Sequence, residues 1–151
     1  MNFNPNSKVE SGELSFKIPG AGEIKVNSET RSFIVYLNWL FAQGMLPDLT
    51  PEVKEIGGQY QDLGLLRFLM RRSDSNMKDL ENNLKQAIGN SPQFDDREER
   101  RLVREMDSFK RSPGSIHATA KSTRFIEINK FFNELNSESK SVNFNLNFKR
   151  N

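Results

Sequence analysis

The chain has 151 residues, with 22 basic and 20 acidic side chains, a single histidine and no cysteine. This length is enough for one domain with its own hydrophobic core. The absence of cysteine excludes a disulfide scaffold, a thiolate metal site and a cysteine nucleophile. The net charge of +2 is too close to balance to indicate a polyanionic partner by itself.

The chain begins with a polar stretch that lacks the apolar run of a signal peptide. Its longest apolar stretch, residues 33–41, is interrupted by Asn38 and is too short to cross a bilayer. We therefore expect a soluble cytoplasmic protein, free or incorporated in a particle, with no membrane partner.

Two short segments near the start alternate apolar and polar residues, which is the pattern of a half-buried strand. A Pro-Gly turn beginning at Pro19 separates the two segments. The sequence therefore predicts a β-hairpin whose apolar face carries Leu14, Phe16, Ile18, Ile24 and Val26.

Four or five helices are predicted after the hairpin, from apolar residues at helical spacing and from capping, proline and glycine signals at their ends. The first of them is apolar on nearly every side, so it belongs in the centre of the fold or inside an oligomer. The predicted bounds are Asn27 or Ser28 to Gly44, Thr50 to Arg72 with a break at Gly57-Gly58, 73–90, 94–111, and Ser122 or Thr123 to Leu135.

The C-terminal stretch alternates apolar residues with Ser and Asn, and its apolar positions are Val142, Phe144, Leu146 and Phe148. A strand needs neighbours to be stable. In the more economical arrangement it joins the N-terminal hairpin as a third antiparallel strand. In the alternative it is donated to another chain, and the same four residues form a strand-exchange interface.

These elements predict an α+β fold in which a cluster of four to five helices packs on a small antiparallel sheet, made of the N-terminal hairpin and the C-terminal strand. We expect a flexible N-terminal arm over residues 1–12, a single domain over 13–148 and a short tail over 149–151.

Catalytic signatures are weak throughout the chain. His117 is the only histidine, and no His or Cys cluster has the spacing of metal ligands. The acidic residues at 95–99 are explained by capping and by the positive end of a helix. The glycine-containing turn at 19–22 lacks the following helix that a phosphate-binding loop requires. We therefore predict a protein that is not an enzyme and that uses no cofactor and no metal.

A row of arginines is the strongest candidate site in the sequence. Four of them fall within an arc of about 80° on their predicted helix, and two more basic residues follow it. The predicted polyanion-binding or partner-binding residues are Arg97, Arg101, Arg104, Arg111, Lys121 and Arg124. Acidic residues stand four positions from several of these arginines, as Glu105 does from Arg101, so intrahelical ion pairs are expected to neutralise part of the charge.

The sequence favours a non-enzymatic protein-interaction or assembly subunit, such as an adaptor, a chaperone, a structural component of a multi-protein or virion-like complex, or an inhibitor of a partner. The expected partner is another protein or further copies of the same chain. The alternative is an accessory protein that binds nucleic acid or another polyanion through the arginine-rich helix face.

Overall fold

The computed structural model describes residues 9–32, 50–66, 68 and 74–150. Five strands of this part of the chain form one antiparallel sheet in the order β1-β2-β3-β4-β5. The strands are β1 Val9–Ile18, β2 Gly22–Arg31, β3 Glu52–Asp62, β4 Pro113–Glu127 and β5 Val142–Arg150. The helices are α1 Asp74–Gly89, α2 Asp96–Arg111 and α3 Ile128–Leu135.

The predicted N-terminal hairpin is confirmed. β1 and β2 pair in a register that places Phe16 opposite Ile24. The amide of Ala21 donates to the carbonyl of Ile18 at 3.0 Å, and Gly20 has a φ of 74°, a conformation that glycine adopts without a steric penalty. β1 begins at Val9, so strand pairing includes the last four residues of the predicted N-terminal arm.

The helices predicted over 73–90 and 94–111 are confirmed as α1 and α2. The side chain of Asp95 caps α2 by accepting hydrogen bonds from the amides of Arg97 at 2.9 Å and Glu98 at 2.8 Å. The Glu98 side chain accepts in return from the Asp95 amide, which completes a capping box. Acidic residues in the first turn and basic residues in the last turn also suit the helix dipole.

The predicted cluster of four to five helices on a small sheet is wrong, because the described residues form three bounded helices and a five-stranded sheet. Residues 52–62, predicted to be helical, form the central strand β3, and residues 113–127 form β4. The helix predicted to begin at Ser122 or Thr123 begins only at Ile128. The predicted helix ending at Gly44 lies mostly in residues 33–49, outside the described residues, although its first residues belong to β2.

The C-terminal strand pairs with β4, and the prediction that it joins the N-terminal hairpin is wrong. The register places Phe148 opposite Ile116 and Phe144 opposite Ala120. β5 therefore lies at the sheet edge farthest from the hairpin, within the sheet of its own chain. It continues to Arg150 and so includes two residues of the predicted tail.

The core lies between one face of the sheet and the helices. Because residues directly opposite one another in an antiparallel sheet share a face, the row Leu14, Val26, Gly58, Ala118 and Leu146 crosses all five strands on this apolar face. One buried cluster lies around α3: Val53, Ala120, Ile126, Phe131 and Val142. A second joins α1 and α2 to β5: Ile88, Leu102, Met106, Phe109 and Phe148.

Polar contacts fix the third helix against the rest of the fold. The Gln93 side chain donates to the carbonyls of Leu135 at 3.0 Å and Ser137 at 3.1 Å, so the segment between α1 and α2 binds the end of α3. The amide of Ile128 donates to the carbonyl of Pro51 at 3.0 Å. These bonds satisfy backbone groups that a helix end leaves without intrahelical partners.

The substitution Leu102→Ala tests this core. Leu102 is fully buried between α2 and β5, so the truncation leaves a cavity and should lower the free energy of unfolding by about 2 to 5 kcal/mol in a urea titration. Arg104→Ala on the exposed side of the same helix is the control, and its effect should stay within about 0.5 kcal/mol. Equal effects of the two substitutions would contradict the assigned core.

Candidate functional site

The helices among the described residues cover the apolar face of the sheet at β4 and β5 but not at β1 and β2. The Leu14–Leu146 row shows the contrast, because Leu146 packs against the cluster under α2 whereas Leu14 is 57% exposed. The other exposed side chains on this part of the face are Phe16 at 59%, Ile18 at 65%, Ile24 at 49% and Val26 at 41%. We call these five residues the apolar patch. A contiguous apolar surface of this kind is typical of an interaction site.

Exposure within the apolar patch increases toward the edge of the sheet. The three side chains on β1 are each more exposed than the two on β2. Within the described sheet, β2 has neighbours on both sides, whereas β1 is an edge strand with a neighbour on one side only. The side chains on β1 are therefore more exposed because they have no described strand beside them on the outer side.

The opposite edge of the sheet is protected by α2. Arg101 donates to the carbonyl of Leu146 at 3.5 Å and to the side-chain oxygen of Asn147 at 3.4 Å. Glu105 accepts a hydrogen bond from the amide of Phe148 at 3.4 Å and also pairs with Arg101 at 2.6 Å. These side chains occupy backbone groups of β5 that another strand would need.

The edge of β1 has no such protection in the described part of the chain. No side chain of the described residues is hydrogen-bonded to the backbone of residues 11–18. An edge strand directs a row of amide and carbonyl groups outward, where they pair readily with an added strand. The two edges thus differ, and β1 is the edge that can accept a strand.

The second candidate surface is the exposed side of α2. Four arginines there are exposed and fall within an arc of about 60°, directly opposite the buried Leu102, Met106 and Phe109. We call them the arginine row: Arg97, Arg100, Arg104 and Arg111. Three of them were predicted from the sequence, whereas Arg100 was not among the predicted binding residues.

Only one of the intrahelical ion pairs expected on α2 is formed among the described residues, between Arg101 and Glu105. Asp107 lies 3.9 Å from Lys85 of α1 instead of pairing with Arg111. Arg101, predicted as a binding residue, faces β5 and does not belong to the arginine row. The charge on the exposed side of α2 is therefore less neutralised than the sequence indicated.

The structure does not bring the other predicted basic residues into the arginine row. Lys121 follows the core residue Ala120 on β4, so its side chain lies on the face of the sheet away from the helices, where it pairs with Glu55 at 2.7 Å. Arg124 is exposed near α3. Hydrogen bonds from Ser139 and Ser141 lower the pKa of Glu134, and the charges of Lys130 and Arg124 add to this effect.

The residues predicted to form a strand-exchange interface are part of the core. Val142 and Phe148 are buried, and Phe144 and Leu146 pack against the two clusters. Their strand pairs with β4 of the same chain. These four side chains therefore pack within the described fold of the chain.

A serine and the single histidine are the strongest catalytic candidates. Ser115 Oγ lies 3.0 Å from His117 Nε2, on the same face of β4 because residues two apart share a face. Burial and the nearby Lys149 lower the pKa of His117, which favours the neutral ring. In the described residues, however, no group binds Nδ1 to orient the ring as a catalytic base requires. Sequence reasoning missed this pair because it interpreted the segment as a loop.

Among the described residues, no group of three or more histidine and carboxylate side chains is close enough to hold a metal ion. None of the described helices is long and apolar enough to cross a membrane. In comparisons with known proteins, no family model, no curated protein and no solved structure matches the chain.

Two lysines, one on α1 and one on α2, converge on a single carboxylate between these helices. Glu81 of α1 accepts hydrogen bonds from Lys110 of α2 and from Lys85, the latter at 2.5 Å. These two ammonium groups lower the pKa of Glu81 from 4.5 to about 2. Lys110 is thus engaged between the helices and adds little to the arginine row.

The substitution Glu81→Gln tests the pH dependence of this contact. A lowered carboxyl pKa stabilises the fold above the unfolded value of 4.5, and the contribution is lost as the pH falls toward about 2. The variant should therefore melt below the wild-type protein at pH 7, and thermal denaturation by circular dichroism should show the difference shrinking between pH 4.5 and 2. The control is Glu138→Gln, which changes an exposed carboxylate and should melt like the wild-type protein at each pH. A Glu81→Gln deficit that is constant with pH would contradict the assigned ion pairs.

Proposed function

We propose that this chain is a non-enzymatic protein-interaction or assembly subunit that accepts a strand of a protein partner on the free edge of β1. The observation that carries the proposal is the combination, on one strand, of a backbone edge that no other described strand pairs with and three apolar side chains that are each more than half exposed. In strand addition, backbone hydrogen bonds supply affinity and alternate side chains supply specificity.

The contrast with β5 supports this interpretation. Both are edge strands of the same sheet, but α2 covers the apolar side chains of β5 and binds its outer backbone groups. Proteins commonly block sheet edges to prevent unwanted pairing. An edge left open beside an apolar patch, in a fold that protects its other edge, is consistent with a partner that binds there.

The substitution Phe16→Thr tests the proposed interface. It replaces an exposed aromatic with a residue that suits a strand, so the melting temperature should stay unchanged while association is lost. The measurement is the native size of the chain in extracts of cells that produce it, by gel filtration. The wild-type chain should elute well above its mass of 17.4 kDa, and the variant should elute as the monomer.

The matched control is Phe132→Thr, which removes a 45% exposed aromatic on α3, away from β1. This variant should elute with the wild-type chain. Elution of all three proteins as monomers, or an equal loss of size in both variants, would contradict the proposal.

The arginine row supports a second candidate function, the binding of nucleic acid or another polyanion. Guanidinium groups at this spacing bind phosphates without reading base sequence. Three of the four arginines, Arg97, Arg104 and Arg111, recur at every seventh residue and so lie along one line of the helix.

The double substitution Arg97→Glu with Arg104→Glu tests this second candidate. If the row binds polyanions, fluorescence anisotropy with a labelled duplex should show affinity that falls steeply with salt concentration in the wild-type protein and is lost in the variant. The control is Arg124→Glu with Lys130→Glu, which makes the same change in net charge at exposed positions outside the row. Equal losses in the two double variants would indicate a response to net charge and would exclude the row as a site.

A further inference from the structure

We infer that the strand added to β1 is β1 of a second copy of this chain, paired antiparallel about a two-fold axis at Ser15. The inference rests on the proposed function and names its partner and register. A two-fold interface uses the same surface on both copies, so one strand must be complementary to itself. The charges and side-chain sizes along β1 meet that condition in this register.

The charges on β1 select the register. Glu13 and Lys17 are both exposed on the polar face of the strand, and neither forms an ion pair with another described residue. With the axis at Ser15, Glu13 of each copy lies opposite Lys17 of the other, which gives two symmetric ion pairs. Directly opposed charges of unlike sign stabilise neighbouring strands, and like charges destabilise them.

The neighbouring registers lose this complementarity. An axis at residue 13 places two Glu13 side chains opposite each other, and an axis at residue 17 does the same for two Lys17 side chains. An axis at residue 14 or 16 places each charged side chain opposite an uncharged residue of the other copy. A register that places odd-numbered residues of one copy opposite even-numbered residues of the other would turn the two apolar faces to opposite sides of the joint sheet. The Ser15 register is therefore the one that pairs both charges while aligning both apolar faces.

The apolar side of β1 is also complementary in this register. Leu14 of each copy lies opposite Phe16 of the other. Each of these side chains therefore covers the side of its partner that faces away from β2. Ile18, the most exposed member of the apolar patch, lies opposite Gly12. Gly12 has no side chain, and the space above it is open except for Ser28 Oγ, which lies 3.9 Å from the position of a Cβ atom. The most exposed side chain of the apolar patch thus lies opposite the glycine on this face of β1.

The result is a continuous antiparallel sheet formed from two five-stranded sheets, in which both free β1 edges disappear. The two apolar patches become one surface across the joint, with Val26 and Ile24 of each copy flanking the central pairs. The interface closes on itself and does not propagate into a filament, because each copy pairs through β1 while α2 protects the other edge of the described sheet.

A charge-exchange experiment on the purified full-length chain tests the inference. Sedimentation velocity should show the wild-type protein at twice 17.4 kDa. Glu13→Lys alone and Lys17→Glu alone should each weaken the dimer by roughly tenfold or more, because each creates two like-charge contacts. An equimolar mixture of the two variants should dimerise again, because every lysine then faces a glutamate of the other copy. Failure of the mixture to associate, with both variants folded, would contradict the Ser15 register.

A cysteine pair tests the register directly, since the chain contains no cysteine of its own. Ser15→Cys places two thiols opposite each other at the axis, within the distance that a disulfide spans, and mild oxidation should give a covalent dimer. Ser11→Cys is the matched control on the same face of β1. Its two thiols would be about 26 Å apart, from eight residues at about 3.3 Å each, and should not cross-link. Equal cross-linking of the two variants would exclude the register.

The outcomes separate this inference from the proposed function. A purified chain that is monomeric at all concentrations, together with a large native size in cell extracts that Phe16→Thr abolishes, overturns self-pairing and leaves strand addition by a different protein. A monomer in both settings overturns both proposals.

Discussion

The structure depends on the packing of α2 against β5, because this contact determines which half of the sheet is covered. Leu102, Met106 and Phe109 of α2 bury Phe148 and form the larger part of one core cluster. With α3 over the neighbouring cluster, the described helices cover the apolar face at β4 and β5 and leave it exposed at β1 and β2. A sheet with one apolar face is stable when helices or another molecule cover that face, so the position of α2 determines which part of the face the described helices leave exposed.

The same helix also determines the difference between the two edges. Arg101 and Glu105 form an intrahelical pair that also binds the backbone of β5, so their charges protect an edge and are not available to a ligand. The arginine row lies on the opposite side of α2 and faces solvent. One amphipathic helix thus supplies core packing, edge protection and a basic surface, and each of these functions uses a different arc of its circumference.

The elements that sequence reasoning missed have identifiable physical causes. A register shift at Lys54 brings both Val53 and Ile56 to the core side of β3, and this spacing of three residues resembles one turn of a helix. In the middle of β4 two successive core-side positions are filled by the small residues Ala118 and Ala120, which give a weak hydrophobic signal. They are small where the larger Leu146 and Phe144 lie opposite them on β5. The pattern of apolar residues along one strand cannot show that the bulky side chains of that part of the core come from the neighbouring strand.

By itself the sequence determined the hairpin, α1, α2 and the apolar alternation of β5, because turn residues, helix caps and residue periodicity act between positions close in the chain. It also identified Arg97, Arg104 and Arg111 as members of one exposed face. Only the tertiary structure decided that residues 52–62 and 113–127 are strands and that β5 pairs with β4. It also decided that, among the described residues, side chains bind the backbone at the edge of β5 but not that of residues 11–18 of β1. These features arise from contacts between residues far apart in sequence, whose pairing depends on how the faces of whole elements fit together.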